Sequence, residues 1–121
     1  MHYRNPVMRL LKASSYSLQG LAYALRHEQA FQYEAGVLVV LCAVLLVLEV
    51  PAGQFLVLTG AWLAVMCLEL VNSAVEKAFD LITQDFHPLV KAGKDMLSAS
   101  VFLAVCFNIF LWAVAIISHP N

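Results

Sequence analysis

The chain has 121 residues, of which 62% are apolar and only 12% charged, and its seven basic and eight acidic side chains leave a net charge of −1. With a mean hydropathy of +0.80, one domain at most fits this length, and the balance excludes an ordinary soluble domain and gives no basic surface for nucleic acid. This is the composition of a membrane protein.

From the N-terminus, residues 1–30 contain no apolar core followed by a small-residue cleavage site, so they read as mature protein. Asn5-Pro6 is an N-cap followed by proline in the first turn. Behind it Val7, Leu10, Leu11, Leu18, Leu21 and Leu25 recur at helical spacing, opposite a stripe of Arg9, Lys12, Tyr16, Gln19, Tyr23 and Arg26. The pattern predicts an amphipathic helix over 5–34 lying in the membrane interface, with Gly20 as a point where it could kink.

Three stretches without ionisable side chains follow, at residues 35–48, 50–68 and 96–118. A span needs about 20 apolar residues. Transmembrane helices are expected over about 35–50, 54–82 and 92–118, with Pro51-Ala52-Gly53-Gln54 as the tight turn between the first two. Cys42, Cys67 and Cys106 fall inside apolar runs without metal-ligand spacing and read as small hydrophobic side chains. Trp62 and Trp112 read as packing or interfacial residues.

Orientation follows from the basic residues. Arg4, Arg9, Lys12 and Arg26 precede the first span, and Lys77, Lys91 and Lys94 flank the connection between the second and third. None occurs in the 51–54 turn or after residue 94, so the N-terminus and the 81–95 loop are expected in the cytoplasm. All the polar chemistry then lies on the cytoplasmic side of the inner membrane.

The stretch ELVNSAVEKAFD, residues 69–80, carries that chemistry. On a helix Glu69, Asn72, Ser73, Glu76 and Asp80 project from one narrow face. A charged side chain at membrane depth costs at least a few kcal/mol, so such residues turn inward and mark a site. Interhelical hydrogen bonding by Asn72 and Ser73, with Lys77 and Asp80 as a snorkelling pair at the helix end, explains part of this pattern and leaves Glu69 unexplained.

Lys91, Lys94, Asp95 and Ser98 form a matching face at the start of the third span. Two carboxylates with a lysine nearby suit a divalent cation carrying polyphosphate, which points to metal-assisted phosphoryl transfer. Gly93-Lys94 is followed by Asp95, so no P-loop is present.

The segment Glu69-Leu70-Val71-Asn72-Ser73-Ala74-Val75-Glu76, with Asp80, resembles the signature E-[IL]-[LV]-N-[ST]-A-[IV]-E-x-x-x-D of the small prokaryotic diacylglycerol kinases and their relatives the undecaprenol kinases. Lys94-Asp95-x-x-Ser98-Ala99 is similar to that family's K-D-x-G-S-A. Upstream, Tyr16-Ser17-Leu18-Gln19-Gly20-Leu21 and Glu28-Gln29-Ala30-Phe31-Gln32-Tyr33-Glu34 resemble its Y-S-x-x-G-L and E-x-A-F-R-x-E. The resemblance covers nearly the whole chain, with the motifs in the family's order.

What the resemblance implies is an all-α membrane protein, residues 1–121 forming one lipid-kinase domain, with an interfacial helix and three spans assembled as a homotrimer whose sites are shared between subunits. Glu69 would be the general base on the lipid hydroxyl, and Asn72 would position it or the migrating phosphate. Glu28 and Glu76 would hold Mg²⁺ bridging the ATP phosphates. Lys94 and Asp95 would contact the nucleotide, with Arg9, Tyr16, Asp85, Phe86 and His87 closing around it. Arg9, Glu34, Glu69 and Ser98 would line the entry of the lipid acceptor.

Taken without the resemblance, Glu28 reads as an exposed residue of the interfacial helix, His87 before Pro88 as a loop cap, and Arg9 and Tyr16 as headgroup contacts. The chain departs from the family pattern at Gln32, where arginine is usual, at Leu97, where glycine is, and at Leu18, where tryptophan is common. The acceptor is expected to be diacylglycerol, with undecaprenol the alternative. The alternative of another class is a non-enzymatic assembly or ion-conducting membrane subunit, and a conducting pore would need polar residues through the outer half of the spans, where Gln54, Thr59 and Asn108 are the ones available.

Overall fold

The computed structural model describes residues 5–118, and Arg4, used above for orientation, lies outside them. The described chain is helical almost throughout: α1 (Pro6–His27), α2 (Gln29–Val47), α3 (Ala52–Ile82) and α4 (Pro88–Ser118). Helices α2, α3 and α4 are long and apolar enough to cross a membrane. At 1.5 Å per residue α2, with 19 residues, is about 28 Å long, and α3 and α4, with 31 each, about 46 Å.

Local chemistry sets the helix ends. Asn5 caps α1, its Oδ1 accepting from the Val7 N–H at 2.9 Å, with Pro6 in the first turn. The helix runs through Gly20 without interruption and stops at Glu28, an extended residue that both ends α1 and begins α2. Residues 29–34, grouped by their sequence with the interfacial helix, therefore continue into the first apolar helix. Across this elbow Gln32 Nε2 donates to the Leu25 carbonyl at 3.0 Å, satisfying an acceptor that the end of α1 leaves open.

The α2–α3 turn falls at residues 48–51 rather than at 51–54. Glu49 there takes a left-handed φ of 54°, and Pro51 stands at the start of α3, so Ala52, Gly53 and Gln54 are already helical. Proline has no N–H to leave unpaired at such a position and its fixed φ suits a helix entry. At the start of α4, His87 does what a loop cap does: its Nδ1 accepts from Leu89 N–H at 3.1 Å.

Packing follows chain order, α1 against α2, α2 against α3, and α3 against α4. One buried cluster joins Ala24, Phe31 and Met66, and a second joins Leu41, Leu45 and Leu58, with Trp62 packed against both. Helix α4 leaves most of its apolar side chains exposed, with Leu111, Trp112 and Ala115 half-buried against the second cluster, and its one fully buried residue is Asn108. The Asn108 Nδ2 donates across to the Ala61 carbonyl at 3.0 Å and back to Ala104 at 2.9 Å. The next residue of α3, Trp62, donates from Nε1 to the Glu34 carbonyl of α2 at 2.8 Å. Adjacent residues of α3 thus tie it to both neighbours.

Candidate active site

The polar stripe of α3 forms three levels along the helix. Deepest is Glu69, only 8% exposed. Packing of α2 on α3 brings the Glu34 carboxyl within hydrogen-bonding reach of it, and Asn72, one turn along, reaches it too. Among the described residues, Glu34 Oε1 and Asn72 Oδ1 are buried without a hydrogen-bond partner. Buried acceptors are normally satisfied, so this level carries two acceptors that a donor such as a hydroxyl could satisfy.

Two turns on, about 10 Å along the axis, stand Glu76 and Lys77. The Lys77 ammonium pairs with the Glu28 carboxylate at the elbow and lies 5.5 Å from the centre of the Tyr23 ring. Glu69 lies within electrostatic range of both Glu28 and Glu76. A cleft of about 520 Å³ opens here between α1 and α3, with Ser17, Tyr23, Glu28, Ser73 and Lys77 in its wall. A groove of the same volume at the opposite end, lined by Gln54, Leu58, Leu111 and Ala115 among others, contains no ionisable side chain.

The outermost level is ionic. Lys94 Nζ donates to Asp80 Oδ1 at 3.1 Å, joining α4 to α3, and Lys91 pairs with Asp95 at 2.7 Å one turn apart on α4. Phe79, one residue before Asp80, lies against Gly93, where a Cβ would come within 2.6 Å of the ring's Cζ. In the connecting loop Thr83 Oγ1 accepts from Asp85 N–H at 3.1 Å, and Phe86 is exposed.

Glu34, Glu69 and Asn72 are thus gathered, Glu28 and Glu76 lie near them, and Lys94 and Asp95 sit at the outer end. Arg9 and Tyr16 belong to α1, which packs on α2 and makes no comparable contact with α4, where Lys94, Asp95 and Ser98 lie. Among the described residues, α1 and α4 do not pack closely on each other.

Residues 15–116 match the family described as "Prokaryotic diacylglycerol kinase". The chain belongs to this family. It is 38% identical over 112 residues to the diacylglycerol kinase of Escherichia coli K12, covering 92% of this chain and 91% of the relative. The Haemophilus influenzae diacylglycerol kinase is 36% identical over 112 residues, with 93% and 95% covered. That of Pseudomonas aeruginosa is 37% identical over 109 residues, with 90% and 89% covered.

Within this diacylglycerol kinase fold several partnerships differ from those the sequence suggests. Lys77 and Asp80 do not act as one pair at the helix end: Lys77 pairs with Glu28 at the elbow, and Asp80 with Lys94 of α4. Glu28, which resembles an exposed surface glutamate, is a half-buried elbow residue. Trp62 does more than pack, since its N–H holds the backbone of Glu34. Asn108, noted only as a polar residue of the outer half, is a buried interhelical donor, which a lone asparagine in an apolar run signals in general form. The Phe79–Gly93 contact has no sequence signal.

Proposed function

We propose that the protein is an ATP-dependent diacylglycerol kinase of the bacterial inner membrane, working at the cytoplasmic face and releasing phosphatidate and ADP. The observation that carries the reading is the buried Glu69 carboxyl beside Glu34 and Asn72, below a level that bears Glu28 and Glu76. The relatives' names supply the acceptor class.

In this reading the acceptor hydroxyl enters from the bilayer beside Glu34 and Ser98 and donates to Glu69. Its oxygen forms a bond to the γ-phosphorus as the bond from that phosphorus to the β–γ bridging oxygen breaks. The hydroxyl proton passes to the Glu69 carboxylate and later to water, while ADP carries away the electron pair of the broken bond. Asn72 holds Glu69 or the migrating phosphoryl group in line, and such positioning is most of what phosphoryl transfer asks of a protein.

Glu28 and Glu76 would hold Mg²⁺. The fit rests on donor chemistry: both are carboxylates, and Glu28 already carries a cationic partner in Lys77. Among the described residues no three acidic, histidine or cysteine side chains group as a metal cage. That suits Mg²⁺, which takes one or two carboxylates and fills its remaining positions with water and phosphate oxygens. Bound there, it would offset charge on the ATP phosphates. Lys94 and Asp95 contact the nucleotide, and Arg9, Tyr16, Asp85, Phe86 and His87 close over it. Because one chain keeps α1 and α4 apart, the reading includes a homotrimer in which these groups meet across subunits, with α1 lying in the interface as an amphipathic helix.

The test is phosphate transfer from labelled ATP with Mg²⁺ in mixed micelles, comparing diacylglycerol, undecaprenol and no lipid. Labelled phosphatidate that disappears in Glu69→Gln and in EDTA is the expected result. Near-normal transfer by Glu69→Gln would remove Glu69 from the reaction.

A further inference from the structure

The Glu28–Lys77 pair stands where the proposed metal would bind. Glu28 lies at the break between α1 and α2, so its carboxylate is presented by the elbow, not by a helix face. Lys77 reaches it from α3, forty-nine residues along the chain, and no other ion pair among the described residues ties the α1–α2 region to α3. The ammonium also lies near the Tyr23 ring, which is itself packed at a tilt against His27 with 4.5 Å between centroids. The neighbouring Glu76 is also within electrostatic range of Lys77. One positive charge is therefore bonded to Glu28 and lies within electrostatic range of Glu76, the two carboxylates that the metal reading needs.

A carboxylate oxygen bonded to an ammonium cannot offer the same lone pair to a cation, and two positive charges at one oxygen repel. We propose that Lys77 is a tethered cation that competes with the divalent metal for Glu28, so that metal entry requires the ammonium to leave. This rests on the metal reading of Glu28 given above. The displaced ammonium remains attached to the wall of the α1–α3 cleft, 520 Å³ in volume and lined by the hydroxyls of Ser17 and Ser73. Occupation of the metal site and the position of Lys77 are thus exclusive, and the pair keeps the elbow fastened to α3 while no metal is bound.

The experiment is Mn²⁺ binding to the full-length protein in detergent micelles, read from the electron paramagnetic resonance of free manganese, with Mn²⁺ alone and again with a non-hydrolysable ATP analogue. Lys77→Met is expected to bind Mn²⁺ about fivefold more tightly than the unaltered protein, the size of effect a partly exposed ion pair can exert. Lys77→Arg, which keeps the charge, should bind like the unaltered protein. Lys12→Met, with the same change in net charge elsewhere, should shift affinity less than twofold. Unchanged or weaker binding by Lys77→Met, equal tightening by Lys12→Met, or no manganese bound by any of these proteins overturns the proposal. Glu28→Gln separates the two readings: if it binds as tightly as the unaltered protein, the metal assignment itself fails, whereas lost binding there with no gain in Lys77→Met overturns only the competition.

Discussion

Trp62 Nε1 donates to the backbone carbonyl of Glu34 at 2.8 Å, which ties α3 to α2 two turns from the point where the Glu34 and Glu69 carboxyls face each other. The Glu34 backbone is fixed by an uncharged residue of α3. Trp62→Phe keeps the aromatic packing in both buried clusters and removes the donor. The expected loss is about 1 kcal/mol of stability, with kcat falling severalfold and the KM for ATP unchanged. Unfolding in mixed micelles and steady-state kinetics check it, and a wild-type kcat would show that the bond only packs the helices.

Glu34→Gln removes one of two carboxyl groups confined together. Like charges brought into one partly buried space repel, so the variant is expected to be more stable than the native chain and less active. Thermal denaturation in detergent measured beside phosphate transfer tests both halves. A variant that loses stability would mean that the Glu34 carboxylate is held by a partner outside this chain.

Asn108 is the one fully buried residue of α4, and its bond to the Ala61 carbonyl is the polar link between α4 and α3 at that depth. Asn108→Ala should cost about 1 kcal/mol, the usual size of such bonds between membrane helices. Transfer activity should survive, since Asn108 lies about 12 Å along the bundle from the level of Glu69. Loss of activity with full stability would contradict this.

Gly93→Ala places a methyl group 2.6 Å from Phe79 Cζ. The ring must turn aside, and the Asp80–Lys94 pair beside it loses its alignment. A several-fold rise in the KM for ATP is expected, with most of it recovered in the double variant carrying Phe79→Val. No recovery would place the effect of the methyl group elsewhere.

Much of this architecture is legible in the sequence. Long apolar runs define the three spans because bilayer thickness leaves few alternatives, and the stripe from Glu69 to Asp80 is fixed by helical period alone. The site's partners are less legible. Lys77 meets Glu28, and Lys94 meets Asp80, through the rotation of packed helices, which no local spacing encodes. The elbow at Glu28 escapes notice because neither glycine nor proline marks it. The turn at residues 48–51 is displaced from its expected place because proline is as much at home opening a helix as bending a loop.

The unequal helix lengths carry a last consequence. Helices α3 and α4 are each twelve residues longer than α2, roughly 18 Å, whereas a hydrocarbon core is only about 30 Å thick. Their charged ends, with Asp80 and Lys94, therefore overhang the bilayer by an amount set by the lipid as much as by the protein. A thicker membrane would draw that ionic platform toward the acyl chains, and a thinner one would lift it further into water. Lipid chain length acts as an adjustable ruler for the distance between the headgroup layer and the Asp80–Lys94 pair, a variable that substitution cannot reach.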